Sequence, residues 1–144
     1  MMQDSYYFVP QINIELNSME QIVAVVETID WTCGEIGHFD ITIRKKCRAK
    51  IDWGDGYVKS IVGVGKTQHF QHSYKHRLPI RTFCVKISTA DEDAIQSYCH
   101  GFIDMNRISV RVTDCKGLLE LNVTRSADLE ITNCPNLQNI ILSP

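Results

Sequence analysis

No stretch of this 144-residue chain stays apolar for the roughly 18 residues that a membrane-spanning helix requires, so no membrane span is expected. Strong charge of one sign is missing too. The formal net charge of −2 supplies no basic field to attract nucleic acid, and there is no acidic tail. Runs of like charge are short. The densest, Arg44-Lys45-Lys46 with Arg48 and Lys50, suits a solvated strand end or turn. The first ten residues carry Asp4 and aromatic side chains where a signal peptide would have a basic start and an apolar stretch. No signal peptide is expected, which leaves a cytoplasmic protein or a mature form.

Long helical periodicity is also absent, as is any CxxC pair for zinc or redox chemistry. The six cysteines, Cys33, Cys47, Cys84, Cys99, Cys115 and Cys134, are widely spaced. A chain of this length can build a core without disulfide staples, so the cysteines are expected to be mostly free and to act as small apolar residues.

What the chain does have is strand pattern. Gln21 to Ile29 is β-branched and largely apolar, as a buried strand would be; a helix from Ser18 to Val26 is the alternative. Phe39 to Arg44, Ala49 to Trp53 and Thr82 to Ser88 alternate apolar and polar residues, the period of a half-buried strand. Tyr57 to Val62 and Thr67 to Tyr74 are two further strand candidates. Gly54-Asp55-Gly56 marks a turn, because glycine accepts positive φ and aspartate bonds its own downstream backbone. Closely spaced strands with such turns imply a β-sandwich. Ala90 to Asp93 is a polar break and the candidate boundary between a segment 1–92 and a segment 93–144.

The second segment repeats itself. At a spacing of 19 residues, Val110 matches Leu129, Val112 matches Ile131, Asp114 matches Asn133 and Cys115 matches Cys134. Leu118 then matches Leu137, Leu121 matches Ile140 and Val123 matches Leu142. A fixed period near 20 is what a stacked repeat produces, since each coil must lay equivalent apolar residues over the last.

The run Ile51-Asp52-Trp53-Gly54-Asp55-Gly56, with His72-Ser73-Tyr74 and then Arg81 to Ser88, resembles PKD-like domains. The match covers residues 38 to 89, with the earlier strands matching by pattern. His76-Arg77-Leu78-Pro79 departs from it where the family often has a glycine turn. The resemblance implies an immunoglobulin-like, antiparallel β-sandwich in which Trp53, Gly54, Asp55, Gly56, His72 and Tyr74 carry the fold motif. Leu129 to Ile140 is similar to the leucine-rich repeats that follow such domains in bacterial surface and secreted proteins. Its motif positions are Cys115, Leu118 and Leu121 in one unit, and Cys134, Leu137 and Ile140 in the next. Two units are fewer than the roughly three a free-standing stack needs, so this tail should pack on the sandwich and share its core.

Candidate sites favour structure over chemistry. Trp53 reads as a core plug. Asp52 and Asp55 offer two carboxylates where calcium wants about six or more oxygens, so they are assigned to the turn. His69, His72 and His76 invite a zinc site, which Cys99-His100 could complete. However, residues 69 and 72 of one strand point to opposite faces, and no metal is assigned. Gly63-Val64-Gly65-Lys66-Thr67 lacks the spacing of a phosphate loop and reads as a β-turn. No G-x-S-x-G nucleophile elbow occurs. Cys115 and Cys134 are read as stacked thiols about 4.8 Å apart, with a disulfide as the other reading.

The expectation is a non-catalytic interaction or adhesion module with no cofactor, binding a protein through sandwich loops or the repeat surface. The resemblance implies an extracytoplasmic or cell-surface setting; the cytoplasm is the alternative. A carbohydrate-binding module using Tyr6, Tyr7, Trp31 and Tyr57 is the second reading, and a zinc-dependent enzyme fragment the third. The run Ile140-Ile141-Leu142-Ser143-Pro144 has no polar capping unit after it. The open repeat end is therefore expected to fold back on the sandwich or to make a homodimer.

Overall fold

The computed structural model describes residues 19–28, 35–74, 81–101, 105–124 and 127–143. Tyr6, Tyr7, Trp31, Cys33 and the loop His76-Arg77-Leu78-Pro79 lie outside the described residues, and so do the expectations placed on them.

Eleven strands and no helix are found among the described residues. They are β1 (Glu20–Thr28), β2 (Glu35–Ile43), β3 (Arg48–Asp52), β4 (Val58–Val62), β5 (Thr67–Tyr74), β6 (Arg81–Thr89), β7 (Ile95–His100), β8 (Met105–Thr113), β9 (Glu120–Thr124), β10 (Asp128–Thr132) and β11 (Asn139–Ser143). The segment for which a helix was the alternative is strand β1. Its β-branched run loses little side-chain freedom on a pleated surface, and it pairs on both edges.

Two sheets form, ordered β10-β8-β1-β6-β3-β4 and β11-β9-β7-β2-β5. Their inward faces meet in one core that includes Ile22 and Val26 of β1, Phe39 and Ile41 of β2, and Val110 and Leu121 of β8 and β9. This is a β-sandwich. The pairs β1–β6, β1–β8, β2–β5, β2–β7, β3–β4 and β3–β6 are antiparallel, whereas β7–β9, β8–β10 and β9–β11 are parallel. The sheets are thus mixed and not antiparallel throughout. The cause is the path of the chain after residue 90. Each arch carries it from one sheet to the other, so the next strand in a given sheet runs the same way as the last.

Three such arches leave β6, β8 and β10, and each holds one non-glycine residue at positive φ: Asp93 (53°), Asp114 (57°) and Asn133 (55°). Asp and Asn are the side chains that tolerate the left-handed region best. The arches also stack. A Cβ on Gly117 would lie 2.8 Å from the Asp93 carbonyl oxygen, so only glycine lets the second arch sit on the first.

The 19-residue match appears as register. Leu129 lies beside Val110 and Ile131 beside Val112 in one sheet, while Ile140 lies beside Leu121 and Leu142 beside Val123 in the other. β1 sits between β6 and β8, and β2 between β5 and β7, so residues before and after 92 contribute to both sheets and to one core.

Candidate functional site

The corner between β3 and β4 is built from the chain's most distinctive residues. Asp52 Oδ1 accepts the Gly54 amide at 2.9 Å, and Asp55 Oδ1 accepts the Tyr57 amide at 3.2 Å. The Trp53 amide donates to the Tyr57 carbonyl at 3.0 Å, closing the turn. Gly54 has φ of 86°, and a Cβ there would stand 2.5 Å from the Cys84 carbonyl oxygen. Both the conformation and the space require glycine.

A ring column runs outward from this turn. Phe39 meets Trp53 at a centroid distance of 5.4 Å, Trp53 stacks on His72 at 5.1 Å, and His72 stacks on Tyr57 at 5.2 Å and 8°. Exposure rises along it, from 2% at Trp53 to 54% at Tyr57. His72 Nε2 lies 2.6 Å from Asp55 Oδ2, and the Tyr74 hydroxyl donates to the Trp53 carbonyl at 2.8 Å. Burial pushes the Tyr74 phenol well above its ordinary range and keeps it a donor. Asp52 and Asp55 are therefore engaged by the turn and by His72, which leaves little carboxylate free for a cation.

The outward face of the second sheet is polar. The register places His69, Asp40, Cys99 and Asn122 in one cross-strand row. His69 Nδ1 is 2.6 Å from Asp40 Oδ1, a bond that raises the exposed imidazole's pKa. Burial and the neighbouring Asp40 carboxylate push the Cys99 thiol up. Asp40 lies between the histidine and the thiol, opposite to the order that would activate a nucleophile. His72 faces the core while His69 faces solvent, and His76 lies outside the described residues. Among the described residues no three His, Cys, Asp or Glu side chains are grouped to hold a metal.

The repeat positions fall on two arches and the strands that follow them, Leu121 in β9 and Ile140 in β11. Cys115, Leu118 and Leu121 are fully buried, and Cys134, Leu137 and Ile140 lie over them, half-buried to exposed. Cys115 and Cys134 are both free thiols. Burial pushes Cys115 up to about 12 and raises Cys134 as well. Polar ladders accompany the apolar ones: Asn133 Nδ2 donates to Asp114 Oδ1 at 2.8 Å, and Asn136 Nδ2 donates to the Lys116 carbonyl at 2.7 Å. The acids around the first arches hold backbone too. Glu20, buried, accepts the Ala94 and Ile95 amides, and Asp91 accepts the Arg48 amide at 2.7 Å.

Sequence reasoning missed one surface. Val58 and Val62 of β4, an edge strand, and Tyr57 and Val64 just outside its ends are each about half exposed. Val62 pairs with Arg48 and Ser60 with Lys50 on the outward face. A groove of about 510 Å³ opens there, its lining including Arg48, Lys50, Ser60, Val62, Ser88 and Asp91. The signal lay in Val58 and Val62, which strand propensity alone accounts for, and in Val64 of the turn that follows; their exposure comes from the sheet ending at β4.

No family model matches the chain, and no curated protein or solved structure shows significant similarity to it.

Proposed function

We propose that this protein is a non-catalytic interaction module that docks an extended, acidic and apolar protein segment on the outward face of β3 and β4. The exposed row of Tyr57, Val58, Val62 and Val64 carries the reading. Clustered apolar side chains at a surface mark an interaction site when polar groups rim them. Here basic groups outnumber acidic ones: Arg48 and Lys50 line the groove beside Asp91, whose carboxylate already accepts the Arg48 amide, and Lys45 and Lys46 are exposed in the adjoining turn. That combination fits carboxylates alternating with aliphatic side chains.

The corner of Trp53, Gly54, Asp55 and Gly56 with His72 and Tyr74 supports a PKD-like reading of the first segment. The 19-residue register of Cys115, Leu118 and Leu121 under Cys134, Leu137 and Ile140 supports a leucine-rich-repeat-like reading of the second. The resemblance implies a bacterial surface or secreted protein, and an extracytoplasmic setting goes with this reading. Carbohydrate binding would need a row of exposed aromatics. Among the described residues Tyr57 is the exposed one, and its face already lies on His72.

Selection from a displayed random-peptide library tests the proposal. Recovered peptides should combine Asp or Glu with Val, Ile or Leu, bind more weakly as salt rises, and lose binding to Val62→Asp and Lys50→Glu. Peptides indifferent to both substitutions, or selection of basic sequences, would overturn it.

A further inference from the structure

We infer that the partner segment joins the first sheet as an added strand, its backbone paired with the outer edge of β4; the inference rests on the reading of this surface as a docking site. Hydrogen-bond alternation identifies the groups that are open. In an antiparallel pair, opposed residues that exchange both bonds alternate with opposed residues that exchange none. At one end of the β3–β4 pair the Trp53 amide donates to the Tyr57 carbonyl at 3.0 Å, and at the other the Gly63 amide donates to the Cys47 carbonyl at 2.7 Å. The register between them sets Ile51 against Lys59 and Ala49 against Ile61. Lys59 and Ile61 therefore direct their amides and carbonyls to β3. Val58, Ser60 and Val62 direct theirs away from it, and β4 is the last strand of its sheet among the described residues.

The same three residues carry the outward side chains. Val58 and Val62 are about half exposed, so apolar surface and open backbone lie along one line. An added strand covers both: its backbone bonds supply affinity and its alternate side chains supply selectivity. β5, an edge strand of the second sheet, shows Thr67, His69, Gln71 and Ser73 outward and offers no such apolar contact. Charge then sets the partner's pattern. Lys59 lies on the other side of β4, its ammonium 5.4 Å from the Phe70 ring centroid. A strand whose aliphatic side chains lie beside Val58 and Val62 places its alternate residues beside Lys59, where carboxylates suit. Proline is excluded wherever that strand must donate to β4. A second copy of β4 fits less well, because antiparallel pairing about Ser60 would bring the Lys50 of both copies beside the dyad.

The synthetic peptide acetyl-Val-Glu-Val-Glu-Val-Glu-Val-amide tests the inference by titration calorimetry and amide hydrogen exchange. Binding should protect the amides of Val58, Ser60 and Val62 and leave those of Lys59 and Ile61, already bonded to β3, unchanged. N-methylating alternate residues of the peptide backbone should weaken binding by about tenfold or more in one phase and little in the other. Ser60→Pro removes an edge donor that lies outside the β3 ladder. It should keep the wild-type circular dichroism and weaken binding by about tenfold or more. A peptide that is lost with Lys50→Glu yet responds equally to both methylation phases overturns strand addition and leaves docking on the face standing. A peptide that does not bind overturns the inference; if the displayed library also yields no binder, the docking reading falls with it. A wild-type dimer that Ser60→Pro dissociates assigns the edge to a second copy and overturns the inference as well.

Discussion

Leu118 and Leu137 occupy the same place in two units 19 residues apart, yet Leu118 is fully buried and Leu137 is not. The contrast holds along both units. Val110, Val112, Cys115, Leu121 and Val123 are sealed, while Leu129, Ile131, Cys134, Ile140 and Leu142 lie partly or largely in solvent. Residue type and register are nearly the same. What differs is the neighbour: the inner unit has β1 and β7 on one side and the outer unit on the other, and the outer unit has a neighbour on one side only. Apolar periodicity thus specifies which residues face the stack, and topology decides how much stability they return.

The largest expected effect sets the scale for a fully enclosed side chain. Trp53→Ala should cost on the order of 3–5 kcal/mol, because it removes the ring under His72 and beside Phe39 and leaves a cavity. Chemical denaturation reads this directly, and quencher-shielded Trp53 fluorescence in the wild type should accompany it. A loss below about 1 kcal/mol would mean that this corner is not the core anchor it resembles.

The next test addresses the two units themselves. Leu118→Ala should cost about 2–5 kcal/mol, and Leu137→Ala markedly less, about 1 kcal/mol at low protein concentration. Equal losses would break the comparison and imply that something covers the outer unit. A Leu137→Ala effect that grows with protein concentration would identify the cover as a second copy.

How much of this was readable beforehand follows from what each pattern depends on. β2, β3 and β6 were readable because alternation survives wherever one sheet face is buried. The turn at Gly54-Asp55-Gly56 was readable because its geometry is local, and so was the 19-residue repeat, because both sheets impose it. β7 was not. Its inward residues include Tyr98 and His100, so Ile95 to His100 does not alternate apolar and polar in sequence. The parallel pairing of β7 with β9 was missed, because it lies outside the 19-residue match and strand direction depends on which sheet each arch enters. The exposed valines of β4 depend on strand order, which no short stretch of sequence encodes.

Acid titration probes the seam between the sandwich and the inner unit. Burial, with His38 nearby, lowers the His100 pKa from 6.5 to about 4, and the Thr124 amide donates to Nε2 at 3.2 Å, which requires that nitrogen to be unprotonated. Between those two values the unfolded chain binds more protons than the folded one. Stability should therefore be complete above pH 6.5 and fall as the pH drops toward 4, by at most about 3 kcal/mol. Glu20 acts in the opposite sense. Burial raises its pKa above 4.5, so its contribution grows as pH falls and is lost as pH rises through the raised value. Comparing the wild type with His100→Gln from pH 4 to 7 separates the two, since only the His100 slope should vanish.

The smallest effect is the most discriminating for the outer unit. Arg111 Nε and Glu130 Oε1 are 3.0 Å apart across the β8–β10 step, and both side chains are about two-thirds exposed. An ion pair so open to water is weakened by screening and by the entropy of holding two long side chains. A double-mutant cycle with Arg111→Ala and Glu130→Ala should give a coupling of about 0.2–1 kcal/mol that shrinks in high salt. A coupling above that range, or one indifferent to salt, would mean that the pair is shielded from water and that the step between the two units is covered.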